Sequence, residues 1–122
     1  DSDQEWATLV PGNGTVYVGA EREPFLVSMF HQFQCLDVIR NELRVDKKDR
    51  NMPRAQRCLN YLRQMTLCRG DTFIDPFQYL SKNGALAKHP VRVCEDWRML
   101  YSAADANQKG EAVWGLSSFE NL

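Results

Sequence analysis

A chain of 122 residues, 43% of them hydrophobic, is long enough for one domain with a modest core. Its 15 basic and 16 acidic residues nearly cancel, leaving a net charge of −1. That balance gives no electrostatic reason to expect nucleic acid or an anionic membrane surface as a partner, and no apolar run reaches the ~20 residues of a membrane span.

Residues 1–8 are polar apart from Trp6 and read as a flexible lead-in. Pro11, Gly12 and Asn13-Gly14 mark turns. Thr15-Val16-Tyr17-Val18 is a short β-like run. Pro24 predicts the first turn of a long helix, where its missing N–H costs nothing. That helix is expected over 24–45, with Leu26, Val27, Phe30, Phe33, Leu36, Ile39 and Leu43 inward. A charged loop over 46–51 follows. Pro53 opens a second helix running to Cys68, with Leu59, Leu62, Met65 and Thr66 as its stripe and Gly70 as its C-cap. The stretch 71–90 holds Phe73, Ile74, Phe77 and Tyr79, too apolar for a free linker, and is expected to fold over the helices as a lid. A third, shorter helix is expected over 94–106, with Trp97, Leu100 and Tyr101 inward, and Lys109-Gly110 breaks it. Over 109–122, Trp114, Leu116 and Phe119 form an apolar tail suited to docking on the domain or on a partner.

Two segments inside the long helices match. His31-Gln32-Phe33-Gln34-Cys35-Leu36-Asp37-Val38-Ile39-Arg40 and Arg54-Ala55-Gln56-Arg57-Cys58-Leu59-Asn60-Tyr61-Leu62-Arg63 share the frame Cys-Leu-[Asp/Asn]-x-[Ile/Leu]-Arg. Positions i, i+3, i+4 and i+7 fall on one helical face. That face is His31, Gln34, Cys35 and Val38 in the first helix, and Arg54, Arg57, Cys58 and Tyr61 in the second. The duplication points to an antiparallel pair around a shared pocket. His31 and Gln34 would look across at Arg57, with Arg54 a turn earlier and Tyr61 a turn later. The expected fold class is mainly α: an antiparallel helix pair plus a third helix, long ordered loops, a short β segment near the N-terminus and disulfide staples, as a single domain over 1–122. Four cysteines, Cys35, Cys58, Cys68 and Cys94, are compatible with two disulfides in any of three connectivities. Asn13-Gly14-Thr15 is a glycosylation sequon. Together with the cysteines it tilts the reading towards an oxidising compartment.

His31 can serve as a general base or hydrogen-bond donor, or it can be a packed core histidine. Gln34 can both donate and accept. Arg54 and Arg57, on one helix face, repel unless an anion sits between them. An enolate, carboxylate or phenolate would serve, and guanidinium donors suit developing oxygen charge. The plainer alternative is a solvated face paired with Asp37 or Glu42. Asp37, Tyr61 and Asp71 are further substrate-contact candidates, and His89 is a weaker one. A Ser-His-Asp triad, a phosphate-cradling glycine loop and a dinucleotide fingerprint are all absent, which argues against hydride transfer. What remains is dehydration, isomerisation, aldol-type closure or pericyclic ring formation, where folding a flexible substrate into a near-attack conformer is the main task.

Taken in order, these segments resemble the UstYa family of fungal secondary-metabolite proteins. The family's mark is two copies of His-x-x-His-Cys, each followed by a leucine and an arginine-ended helix, and the segments around Cys35 and Cys58 are similar to it. Trp6 with Leu9-Val10-Pro11-Gly12 resembles the entry segment. Leu67-Cys68-Arg69-Gly70-Asp71-Thr72 resembles the Met-Cys-His-x-Asp-x-Thr turn, and Val93-Cys94-Glu95-Asp96-Trp97 the closing His-x-Cys-Arg-Asp segment. The likeness covers most of residues 6–100. It implies a single-pass protein with a short N-terminal membrane anchor ahead of Asp1 and the domain in the lumen of the secretory pathway.

In members that do oxidative chemistry, the motif histidines imply copper. Here His31 is kept, Gln34 stands in the second place, and Arg54 and Arg57 fill both places of the second copy; Arg69 stands where the histidine after the third cysteine belongs. A guanidinium cannot ligate a metal, and one imidazole is too few for a nitrogen first shell. No metal and no cofactor are therefore expected. The first reading is a cofactor-independent cyclase (pericyclase, Diels–Alderase-like, or a dehydrative or aldol-type cyclase) acting on a polyketide, terpenoid or peptide-derived intermediate, alone or as a homodimer. His31, Gln34 and Arg57 would be catalytic, and Arg54, Tyr61, Asp37 and Asp71 would hold the small-molecule substrate. The second is a copper-dependent oxidase with ligands from His31, His89 and carboxylates. The third is a non-catalytic partner of an active paralogue.

Overall fold

The computed structural model describes residues 2–72 and 91–115. The expected lid, His89, and Leu116 and Phe119 of the tail lie outside the described residues. Helix α1 (Ser2–Thr8) leads into a turn at Pro11–Gly14, then a hairpin of β1 (Thr15–Val18) and β2 (Glu23–Leu26). Helix α2 (Ser28–Arg44), a 3-10 turn at Lys47–Asp49, helix α3 (Met52–Arg69) and helix α4 (Trp97–Gln108) complete the order. The fold is mainly α, as expected, with its short antiparallel sheet near the N-terminus.

The helix boundaries follow local chemistry. The Asn51 side chain accepts the Arg54 N–H at 3.2 Å and caps α3, with Pro53 in the first turn. At the other end Gly70 adopts a left-handed φ of 51°, and its N–H closes on the Thr66 carbonyl at 3.0 Å. Asp96 caps α4 by accepting the Arg98 N–H at 3.1 Å, so that helix starts three residues later than position 94. The turn before β1 runs through left-handed φ at Gly12, Asn13 and Gly14, which glycine and asparagine tolerate best.

Leu26, Leu36, Leu43, Leu59 and Trp97, expected on inward stripes, are exposed; two further expectations are corrected. Pro24 is not a helix start; it sits in β2 opposite Tyr17, and α2 begins only at Ser28. Tyr17 turns its own N–H and carbonyl away from Pro24, towards the Asn107 side chain, so the strand position needs no N–H. Residues 2–8 are not a loose lead-in but a helix. Asp3 pairs with Arg40 at 2.9 Å and Arg44 at 2.6 Å, and the Arg40 guanidinium lies over the Trp6 ring at 4.9 Å.

The core is a cluster of Val16, Val18, Phe30, Ala104 and Trp114. Full burial of Phe30 and Val16 contributes about 1.5–3 kcal/mol each. Trp114 docks on the domain rather than standing free: it bridges to Val18, and its carbonyl accepts the Gly19 N–H at 2.7 Å. Tyr101 sets its ring edge-on to Phe30 at 5.1 Å and donates its hydroxyl to the Leu9 carbonyl at 2.6 Å. Hairpin, turn and α4 thus form one unit. Among the described elements α3 makes its main packing against α2.

Candidate active site

Helices α2 and α3 run antiparallel in a register that three contacts define. The Ser28 hydroxyl meets Met65 Sδ at 3.5 Å, Cys35 is bridged to Cys58, and Glu42 Oε2 accepts the Asn51 N–H at 2.7 Å. Positions 28, 35 and 42 therefore face 65, 58 and 51, stepping two helical turns at a time. The duplicated frame is a local two-fold relation about the disulfide: His31 corresponds to Arg54, Gln34 to Arg57 and Val38 to Tyr61.

Around this bridge lies a cleft of about 540 Å³. Its floor is the Cys35–Cys58 pair, and its walls are His31, Gln34, Asp37 and Val38 from α2, Arg54 from α3 and Asn13 from the turn. The Gln34 amide donates to the Asn13 carbonyl at 2.7 Å, which pins the turn to the helix and leaves the amide oxygen as an acceptor. His31 is half-buried and stacks on Tyr61, ring centres 3.8 Å apart and planes 24° from parallel. Tyr61 is held in turn by the Ser28 hydroxyl at 3.0 Å, which accepts from the Gln32 amide at 3.2 Å. Asp37 lines the cleft, but its carboxylate is taken by Arg40 at 2.8 Å. The Arg54 guanidinium has no polar partner among the described residues.

The sequence-predicted residues divide accordingly. His31, Gln34, Asp37 and Arg54 come together. Arg57 does not join them: like Arg54 it is exposed, but it is outside the cleft walls, and among the described residues no turn closes the α3 side as the Asn13 turn closes the α2 side at Gln34. Tyr61 stands behind His31 rather than in the wall. Asp71 is beyond the end of α3 and pairs with Arg92 at 3.0 Å. Of the two expected disulfides, only Cys35–Cys58 forms; Cys68 and Cys94 are free, exposed thiols. Cys68 sits in the last turn of α3 and Cys94 ahead of the Asp96 cap of α4, and both face solvent. Sequence reasoning placed Val38 on the pocket face without giving it a role, and missed Asn13 as a wall. For Asn13 the one signal was the Asn-Gly turn, read as a sequon.

Such a domain is a disulfide-stapled helix pair carrying a small polar cleft. The family described as mycotoxin biosynthesis protein UstYa matches residues 11–103, and the chain belongs to it. A curated relative, UstYa family oxidase phomYb from Diaporthe leptostromiformis, is 27% identical over 130 residues, covering 90% of this chain. The chain spans about half the length of that relative, 52%. No solved structure matches.

The donor set of the cleft does not fit a copper ion. Among the described residues it offers one imidazole, a guanidinium, an amide whose nitrogen is already engaged, a carboxylate bound to Arg40, and two sulfurs oxidised to a disulfide. Among the described residues, no three His, Cys, Asp or Glu side chains gather as a metal site.

Proposed function

We propose that this domain handles substrate in a fungal secondary-metabolite enzyme and acts as a cofactor-independent cyclase on a polyketide, terpenoid or peptide-derived intermediate. One observation carries the reading: His31, Gln34 and Arg54 meet in a single cleft of about 540 Å³, within the roughly 300–1,000 Å³ of small-molecule sites. Membership of a mycotoxin-biosynthesis family supports the pathway class.

The chemistry asked of the residues is modest. Arg54 and His31 donate to a substrate carbonyl oxygen, where charge grows as the ring closes. The Gln34 oxygen accepts from a substrate hydroxyl or enol. His31 can also take the proton released in an aldol-type or dehydrative closure. The disulfide floor and Val38 give the folded chain an apolar surface. The curated relative is named an oxidase, but the donors here suit a closure that needs no net oxidation. The Cys35–Cys58 bridge supports a working place in an oxidising compartment, the lumen of the secretory pathway.

Deleting the gene and isolating the accumulated intermediate gives the substrate. The purified full-length protein should convert it to an isomeric or dehydrated ring at the same rate with and without a metal chelator. No conversion, or a product two electrons more oxidised whose formation the chelator abolishes, overturns the proposal.

A further inference from the structure

We infer that Arg54 is the anion-binding residue of the cleft, and that its ligand carries an oxyanion: a carboxylate, enolate or phenolate. This rests on reading the cleft as the substrate site, but not on the cyclisation. Helix α3 carries four arginines and no acidic residue. Of these, Arg54 alone lines the cleft. Its exposed guanidinium meets no carboxylate among the described residues, while Asp37 in the α2 wall is paired through Oδ1 with Arg40 at 2.8 and 2.9 Å. The acidic charge of the cleft is therefore already balanced, while the basic charge of Arg54 is not. The other groups presented are a half-buried imidazole, able to donate to an oxygen, and the Gln34 amide, whose oxygen is left to accept from a neighbouring hydroxyl of the ligand. A planar guanidinium offers two parallel N–H donors, to both oxygens of a carboxylate or together to the one oxygen of an enolate or phenolate, and the disulfide and Val38 provide apolar contact.

The test uses benzoate as the charged probe and benzamide as its neutral match, titrated into the protein by NMR. Benzoate should shift the signals of Arg54, His31 and Val38, bind about tenfold tighter than benzamide, and weaken as ionic strength rises. Arg54→Gln should remove the preference for benzoate. Arg57→Gln, one turn away and outside the cleft, should keep it, with both variants showing the wild-type helical spectrum. Equal binding of the two probes, signals clustered elsewhere, or equal losses in the two variants would overturn the inference. Binding as described without turnover of the pathway intermediate would leave the anion site standing and remove the cyclase reading instead.

Discussion

The side-chain amide of Asn107 meets the backbone of Tyr17 as a neighbouring strand would, accepting its N–H and donating to its carbonyl at 2.7 Å each. The same amide nitrogen reaches the Ala112 carbonyl at 3.3 Å. One fully buried residue thus ties α4 to β1 and to the segment that carries Trp114. Asn107→Ala leaves two backbone groups of Tyr17 unpaired inside the protein. At about 1–3 kcal/mol for each such group, the loss should be on the order of 3 kcal/mol in urea unfolding. Asn107→Asp should be no milder, since a carboxylate cannot donate to the Tyr17 carbonyl. A loss below ~1 kcal/mol would show that water replaces the amide at little cost.

The disulfide is the staple of the helix pair. It closes a loop with a sequence separation of 23, and among the described elements α3 makes its main packing against α2. Replacing Cys35 and Cys58 by serine should cost about 2–4 kcal/mol. The loss should be local: amide exchange should speed up through α3 while β1 and α4 keep their protection. Uniform loss of protection would mean that the two helices fold only with the rest. Thiol titration of the denatured, unreduced protein should find two thiols per chain, Cys68 and Cys94.

Helix α1 is held by charge. Hydrogen bonds first from Arg44 and then from Arg40 keep the Asp3 carboxyl below its ordinary value of 3.8. A depressed carboxyl stabilises the docked state above its free pKa, and that contribution is lost as pH falls through the lower, docked value. Docking of α1 should therefore hold through neutral and mildly acidic pH and fail in the acid range below 3.8. Trp6 fluorescence, taken as the difference from Trp6→Phe, should report the release. Asp3→Asn should already be released at neutral pH. An acid transition unchanged in Asp3→Asn would place its cause elsewhere.

Much of this architecture was legible because its signals are local. Pro53 and Gly70 mark the ends of α3 from within a turn of them, and the shared frame around Cys35 and Cys58 gave the helix pair; the Asn51 cap, read as part of the charged loop, came only with the structure. The misreadings were decided at long range. Pro24 suits either a helix start or a strand position that needs no N–H. What settles it is Asn107, which takes up the backbone of Tyr17 from the far end of the chain. The helical content of residues 2–8 depends on Arg40 and Arg44, whose approach no local pattern announces. Arg54 and Arg57 share one helical face, so spacing alone cannot say which enters the cleft. The choice falls to the turn at Asn13, which packs against Gln34 but not against its equivalent on α3.

That distinction sets the last prediction. With the intermediate as substrate, Arg54→Ala and His31→Ala should each lower turnover on the order of a hundredfold, the usual cost of one donor to a developing oxyanion. Arg57→Ala should lose far less, since Arg57 does not line the cleft. Arg50→Ala removes only a contact to the Val45 carbonyl at 3.2 Å and should leave turnover unchanged. Tyr61 separates positioning from chemistry. Tyr61→Phe keeps the ring stacked on His31 and loses only the hydroxyl bonded to Ser28, so it should retain most activity; Tyr61→Ala frees the imidazole and should lower turnover while leaving KM nearly unchanged. If His31 is instead a packing residue, His31→Ala should lower the melting temperature, and its activity should fall only as far as the folded fraction does. Turnover and thermal unfolding measured on the same set of variants decide between the two. Wild-type rates in both His31→Ala and Arg54→Ala would move the chemistry out of this cleft.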